Sequence, residues 1–132
     1  MAATKPLFIL IAGPYRSGTG DDPELLQANL HRLEEAAWPI FEAGHLPMIG
    51  EWVALPVLRS AGADGVTDPL ADRVMYPTAQ RLLRHCDAVL RLPGESTGAD
   101  RDVAIANELG LPVYHDLTDI PGIADRPGIA RN

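Results

Sequence analysis

The sequence predicts an α/β fold in which a mainly parallel sheet of four or five strands is covered by helices on both faces. Two apolar runs, Leu7–Ala12 and Ala88–Leu92, the second with Arg91 as its one charged residue, have the character of strands buried on both faces. Segments with helical spacing of apolar residues separate the strand candidates, so strand and helix alternate along the chain. With 132 residues, the chain is expected to form one domain, over residues 1–132.

The first part of the chain supplies two predicted strands with a helix between them. A glycine-rich loop, residues 13–20, follows the first strand, and Asp22 is placed to cap the helix that comes next. Pro39 should kink or shorten this helix, and Gly44 should end it. Leu46–Ile49 is then a short second strand.

The middle of the chain, residues 50–76, has weaker patterns. Apolar residues within Trp52–Leu58 indicate a short helix, although Pro56 interrupts it. A stretch rich in Gly and Ala follows and is typical of a loop. Pro77 is placed to open the next helix, which we expect over Thr78–Cys86.

The last part of the chain contains another helix and another strand. After Ala88–Leu92, a Ser/Gly turn leads into a predicted helix over Ala99–Leu109 that ends at Gly110. Leu111–Tyr114 is the next predicted strand. Residues 116–132 are a tail rich in Pro, Gly and Asp, which we expect to be loosely held or to pack on a neighbouring molecule.

Composition and charge narrow the possible functions. The net charge of −7 argues against a nucleic-acid partner, which usually requires a basic face. The single cysteine, Cys86, excludes an internal disulfide, favours a reducing compartment and is expected to be a buried, inert thiol. The apolar run near the start is too short for a membrane span and lacks a signal-peptide cleavage pattern, so we predict a cytoplasmic protein with no membrane contact.

The sequence motifs do not indicate a metal site or ATP hydrolysis. The four histidines do not have the spacing of zinc ligands. The loop after the first strand lacks the Gly-Lys-Ser/Thr of a P-loop and does not fit the dinucleotide-binding fingerprint. We therefore predict no metal site and no ATPase.

Two loops are candidates for a shared ligand site. Because ligands bind beyond the carboxyl ends of parallel strands, residues 13–20 and 93–98 should meet there. The second loop contains Ser96, Thr97 and Gly98 just before a helix, where free backbone N–H groups favour an anion such as a phosphate. The alternative is an ordinary helix cap formed by Ser96 or Thr97.

Three side chains near these loops have two interpretations each. Asp102, expected in the first turn of the following helix, either attacks or shields an oxocarbenium-like carbon or merely favours the helix N-terminus. Arg16 either pairs with a phosphate or carboxylate or is a solvated surface residue. Tyr15 either stacks on a base or only packs.

Three segments, in the same order, resemble the nucleoside 2-deoxyribosyltransferase-like superfamily. They are Ile-Ala-Gly-Pro-Tyr-Arg at residues 11–16, Leu-Leu-Arg-His-Cys-Asp-Ala-Val at residues 82–89, and Leu-Pro-Gly-Glu-Ser-Thr-Gly-Ala at residues 92–99. The resemblance extends over residues 7–115 and is nearest to small bacterial members of unknown function. It implies a flavodoxin-like, Rossmann-like three-layer fold and a carboxylate nucleophile that cleaves the N-glycosidic bond of a nucleoside or nucleotide, without a cofactor.

The resemblance also assigns roles to seven residues. They are Asp102 in the place of the nucleophile, Ser96, Thr97 and Gly98 in the loop that holds a 5′-phosphate, and Gly13, Tyr15 and Arg16 in the loop that flanks sugar and base. The chain departs from the family pattern at two places. Relatives usually have Glu at the position of Asp102, and they often have a carboxylate where this chain has Ala79 and its neighbours. Asp68 and Asp72 are the candidates to replace that carboxylate.

Three hypotheses remain open at this point. The first is a nucleoside or nucleotide N-glycosidase or deoxyribosyltransferase, and the second is a catalytically inactive nucleotide or sugar-phosphate binding protein with the same pocket. The third is a scaffold that uses its tail and its middle loop to bind another protein. The resemblance further implies a homodimer, and we expect its interface in Gly50–Tyr76, at the apolar residues Trp52, Val53, Leu55 and Leu58.

Overall fold

Four strands form one parallel sheet in the part of the chain that the computed structural model describes, residues 5–123. They are β1 (Phe8–Ala12), β2 (Leu46–Met48), β3 (Ala88–Arg91) and β4 (Val113–Tyr114). The strand order is β2-β1-β3-β4, and every neighbouring pair is parallel. The two apolar runs of the sequence are therefore adjacent central strands, as predicted.

Helices flank this sheet on both faces and give a three-layer α/β fold of the flavodoxin-like or Rossmann-like kind. They are α1 (Pro23–Glu34), α2 (Ala37–Glu42), α3 (Gly50–Ser60), α4 (Leu70–Leu83) and α5 (Thr97–Leu109), followed by a 3₁₀ turn at Leu117–Asp119. The predicted fold class is thus confirmed.

The central strands divide the core between the two faces. Ile9 and Ile11 pack on the side of α1 and α2, whereas Leu10 and Ala12 pack with residues of α4 and α5. This alternation follows from the two-residue period of a strand. Because both faces are covered, β1 is apolar at every position, which is the pattern that made it recognisable in the sequence.

The first helix begins and ends close to the predicted boundaries. The side chain of Asp22 accepts a hydrogen bond from the N–H of Glu24 at 2.9 Å, and Pro23 is the first helical residue. The helix stops before Pro39, which lies in the first turn of α2, where a proline is tolerated. Gly44 follows α2 with a left-handed φ of 96°, which favours glycine.

The prediction that Pro77 opens a helix is wrong, because α4 begins at Leu70 and has Pro77 in its interior. The Asp68 side chain accepts a hydrogen bond from the Leu70 N–H at 2.9 Å and starts the helix there. Ala71 then packs against Leu58 of α3 in a buried cluster. Burial of this face offsets the cost of an interior proline, which is about 3 kcal/mol in an isolated helix.

Part of the predicted dimer interface is buried within the chain itself. Leu58 is 1% exposed, and Leu55 packs against the same cluster between α3 and α4. Leu58 is therefore wrongly assigned to a surface contact, since its side chain is buried inside one chain, whereas Leu55 is only partly buried. Trp52 and Val53 are partly exposed, at 37% and 36%. The homodimer itself stays a prediction.

The tail is not loosely held over the residues that the structure describes. Ile120 and Ile123 are fully buried and belong to the core on the α1 and α2 side of the sheet. The expectation of a loose tail is therefore wrong for residues 116–123, because two isoleucines bury their side chains against the domain. The remainder of the predicted tail, residues 124–132, lies outside the described residues.

His45 joins this tail to the start of the sheet. Its Nδ1 accepts a hydrogen bond from the Leu7 N–H at 3.0 Å, so Nε2 carries the proton and donates to the Pro121 carbonyl at 2.7 Å. The side chain is buried, and two backbone groups depend on it.

We expect His45→Ala to lower the free energy of unfolding by about 2–3 kcal/mol, because two hydrogen bonds are lost and a cavity forms. Chemical denaturation measures this change. The matched control is His85→Ala, since His85 is exposed and makes no contact that the described part of the chain depends on. Equal stabilities of the two variants would contradict the role given to His45.

Candidate functional site

A pocket of about 170 Å³ opens at the carboxyl edge of the sheet, where the loops after β1 and β3 meet. Strand order reverses beside β1, and such a switch point leaves a crevice between adjacent loops. The seven residues predicted from the sequence all line this one pocket: Gly13, Tyr15, Arg16, Ser96, Thr97, Gly98 and Asp102. The volume is below the ~300–1,000 Å³ of common ligand pockets, so a ligand here is small or extends into solvent.

Two buried polar side chains form hydrogen bonds to the backbone of the loop after β1. Asn29 of α1 donates a hydrogen bond from Nδ2 to the Tyr15 carbonyl at 2.8 Å. The hydroxyl of Thr19 donates to the Arg16 carbonyl at 2.6 Å. Both side chains are buried, so the loop that carries Tyr15 and Arg16 has a fixed shape.

Arg16 and Tyr15 present different chemistry to the pocket. The Arg16 guanidinium lies 3.2 Å from a carboxylate oxygen of Asp21 and 4.0 Å from one of Asp72. Its charge is thus already shared between two carboxylates at the pocket mouth. Burial and the neighbouring Glu51 carboxylate raise the pKa of Tyr15, so its phenol stays neutral and is a hydrogen-bond donor at neutral pH.

The loop after β3, where the sequence predicts an anion site, forms a helix cap. Ser96 is 5% exposed, and its Oγ accepts a hydrogen bond from the Ala99 N–H at 3.1 Å. Ser96 therefore is the N-cap of α5, which was the alternative interpretation of this residue. The N–H groups of Thr97 and Gly98, in the first turn, have no acceptor within the helix and adjoin the pocket.

Arg91, which the sequence did not suggest, braces this loop from the end of β3. Its guanidinium donates to the carbonyls of Leu92 and Gly94 and to the Asp100 carboxylate, the last two at 3.0 Å. Gly94 has a φ of 115°, and a Cβ there would lie 2.7 Å from Cγ of Pro14. The loops after β1 and β3 are therefore in direct contact, with glycine required between them.

Asp102 lies in the second turn of α5 rather than the first. Because α5 begins at Thr97 and not at the predicted Ala99, Asp102 lies two residues further into the helix than expected, and Asp100 is the acidic residue of the first turn. Since the favourable effect of the helix dipole falls off within the first turn, the dipole accounts poorly for Asp102. Its carboxyl lines the pocket, where burial and then the Glu51 carboxylate raise its pKa to about 7, opposed by Arg101 and Arg91.

Glu51 is the pocket residue that sequence reasoning missed. It is the second residue of α3, and it lines the pocket through its place just beyond the carboxyl end of β2. Burial raises the pKa of its carboxyl above the ordinary range for Glu. The available signal was its position, because β2 ends at Met48 and the edge that receives ligands begins there.

Asp72 and Asp68, the two candidates to replace the family carboxylate, have different roles in the structure. Asp72 lines the pocket, but its side chain is 74% exposed and adjoins Arg16. Asp68 instead accepts the hydrogen bond that starts α4, so its carboxylate has a structural role. From α4, Met75 and Tyr76 complete the wall, and the Arg101 guanidinium lies 4.0 Å from the centre of the Tyr76 ring.

Several further expectations concern the rest of the described chain. Cys86 is buried, as predicted, and burial raises the pKa of its thiol to about 11, which keeps it neutral. Within residues 5–123, no three His, Cys, Asp or Glu side chains are grouped so as to hold a metal ion. No helix in that same range is long and apolar enough to cross a membrane.

Comparisons with known proteins leave the family of this chain open. No family model matches the chain, and no curated protein matches it significantly.

Proposed function

We propose that this protein binds a nucleoside or nucleotide in the pocket and cleaves or transfers its N-glycosidic bond through the Asp102 carboxylate. The observation that carries the proposal is the arrangement along α5. Free N–H groups of Thr97 and Gly98 and the carboxyl of Asp102 face the same pocket. They are separated by about 6–8 Å of helix rise, which is comparable with the distance from a 5′-phosphate to the anomeric carbon of one nucleotide.

Each part of the pocket has a task in this reaction. The first-turn N–H groups and the Ser96 hydroxyl bind the phosphate at the positive end of α5. The neutral phenol of Tyr15 and the guanidinium of Arg16 border the sugar and base. The Asp102 carboxylate attacks the anomeric carbon as the C1′–N bond breaks, and water or a second base then releases the sugar.

The raised pKa of Asp102 makes the reaction depend on pH. With a pKa of about 7, roughly half of the Asp102 carboxyls are ionised at neutral pH. Only the ionised form attacks, so acidification below neutral should lower the rate in proportion to the carboxylate fraction. At alkaline pH the Asp102 carboxyl of the ligand-free protein is fully ionised.

Release of free base tests the proposal. Purified protein is incubated with a panel of ribo- and deoxyribonucleosides and their 5′-monophosphates, and the base is quantified by chromatography. Release from at least one substrate supports the proposal. Tight binding without release from any substrate would contradict it and favour the catalytically inactive binding protein.

Ser96 provides a separate test of the anion cradle. We expect Ser96→Ala to weaken binding of a nucleoside monophosphate about fivefold, because one hydroxyl donor worth about 1 kcal/mol is lost. Isothermal titration calorimetry measures this difference. The control is Ser60→Ala, an exposed serine at the end of α3. Unchanged affinity in Ser96→Ala, or equal losses in both variants, would place the phosphate elsewhere.

A further inference from the structure

Glu51 is a second carboxyl in the pocket that the reaction described above does not use. Its position is fixed by the chain on both sides, because Ile49 before it is fully buried and Ala54, one turn later, is 1% exposed. Glu51 lines the same pocket as Asp102 and is close enough for its charge to act on the Asp102 carboxyl. A partly buried carboxyl beside a second carboxyl in one pocket is favoured in its protonated form or by a ligand that offers hydrogen-bond donors.

We propose that Glu51 is the general acid and base of this pocket, giving a proton to the departing base and recovering one from the attacking water. This inference rests on the proposed function, in which Asp102 is the nucleophile. Glu51 would then do the work of the carboxylate that members of the resembled family often carry at the position where this chain has Ala79.

The proposed step balances as a double displacement. The electron pair of the C1′–N bond goes to the base, which takes the proton of the Glu51 carboxyl, while an Asp102 oxygen bonds to C1′. Water then attacks C1′ and gives a proton to Glu51, and Asp102 leaves as a carboxylate. Both proton transfers occur on the face from which the base departed, so one residue performs both.

Glu51 is better suited to hold this proton than Asp72, Cys86 or Tyr15. Asp72 is mostly exposed and adjoins Arg16, which favours its ionised form. The thiol of Cys86 is buried and is not part of the pocket lining. Tyr15 has a pKa above its ordinary value and is a weak acid at neutral pH.

Two facing carboxyls also favour a single shared proton near neutral pH. The Glu51 charge raises the pKa of Asp102, so full ionisation of both groups is disfavoured. During bond cleavage, positive charge develops at C1′ beside Asp102, which draws the anion to Asp102 and leaves the proton on Glu51. The other charged or titratable groups near this pair are Tyr15, Arg16 and Asp72 in the pocket lining and Cys86, Arg91 and Arg101 close to Asp102.

The test uses two leaving groups with Glu51→Gln, which keeps the shape of the side chain. The substrates are a purine nucleoside monophosphate and its N7-methylated analogue, whose cationic base departs without being protonated. We expect Glu51→Gln to lower release of the ordinary base by about 10²–10⁴-fold and that of the methylated base by less than about tenfold. Glu108→Gln, an exposed carboxyl on α5, is the matched control.

The possible outcomes separate this inference from the proposed function. Equal losses on both substrates, or no loss on either, would overturn the role of Glu51 while wild-type activity upheld the function. A selective loss in Asp72→Asn instead of Glu51→Gln would assign the proton to Asp72. If the wild type released neither base, the function and the inference would fail together.

The pH profile of the wild type gives a readout that needs no variant. A proton held by Glu51 predicts that kcat/KM for the ordinary base falls at alkaline pH, whereas that for the methylated base does not. In Glu51→Gln the acidic limb measured with the methylated base should move to lower pH, because the charge that raises the pKa of Asp102 is gone. The same alkaline limb on both substrates would contradict the proposal.

Discussion

Replacement of Asp102 by alanine should abolish base release, lowering kcat by at least about a thousandfold, while affinity for a nucleoside monophosphate changes less than about fivefold. A nucleophile acts on the barrier, whereas the first turn of α5 provides most of the affinity for the bound phosphate. The measurement combines chromatography of free base with calorimetric binding to the same variant. Glu108→Ala, on the exposed face of the same helix, controls for general effects on α5.

Asp102→Glu refines this prediction. It restores the longer side chain that the resembled family carries, so activity should be retained or raised. Base release that Asp102→Ala leaves unchanged would reject the nucleophile. The alternative, in which Asp102 only favours the helix N-terminus, predicts instead a stability loss of about 0.3–1 kcal/mol and no effect on turnover.

Asp102→Asn should make the protein more stable at alkaline pH, by about 1–3 kcal/mol at about pH 8. Burial raises the folded-state pKa of Asp102 to about 7, from an ordinary value of 3.8. Between these two values the folded state binds more protons than the unfolded state, so stability falls as pH rises through this window. Above about pH 7 the ionised carboxylate imposes its full cost, and the amide removes it.

Denaturant unfolding at two pH values measures the effect. The gain should be large at about pH 8 and small at about pH 4, where the carboxyl is protonated in the folded protein. Asp100→Asn removes an exposed carboxylate of the same helix that is paired with Arg91, so no alkaline gain is expected from it. A gain in Asp102→Asn that is equal at both pH values would contradict the buried-carboxyl account.

A stabilising substitution that abolishes turnover is a useful signature of a functional site. Residues that serve only the fold rarely improve stability when they are replaced. A carboxylate held in a partly desolvated pocket instead carries an energetic cost that function requires. The loss of turnover in Asp102→Ala and the gain of stability in Asp102→Asn thus both test whether Asp102 is a functional carboxylate.

The parts of the fold that could be predicted from sequence are those set by local pattern. Apolar runs identified β1 and β3, the latter despite Arg91 at its end, because both strands are covered on two faces. Asp22 and Ser96 were recognisable as caps because the chemistry of a helix start is local. The start of α4 was not predictable in this way, since packing of Ala71 against α3 outweighs the signal of Pro77.

The site was predictable to the extent that it follows from strand ends. The loops after β1 and β3 converge because adjacent parallel strands end at the same edge, and this placed the seven predicted residues in one pocket. Glu51 was missed because its strand, β2, has only three residues and its helix begins immediately afterwards. Which side chain of α3 faces the pocket is decided by how that helix packs, and sequence alone does not define this.

A crystal structure with a bound nucleoside monophosphate tests the central claim most directly. The account predicts that the phosphate contacts the N–H groups of Thr97 and Gly98, and that a carboxylate oxygen of Asp102 lies about 3–3.5 Å from C1′ on the face opposite the base. Glu51 should lie on the side of the departing base. A phosphate bound away from the start of α5, or a C1′ atom out of reach of Asp102, would contradict the account.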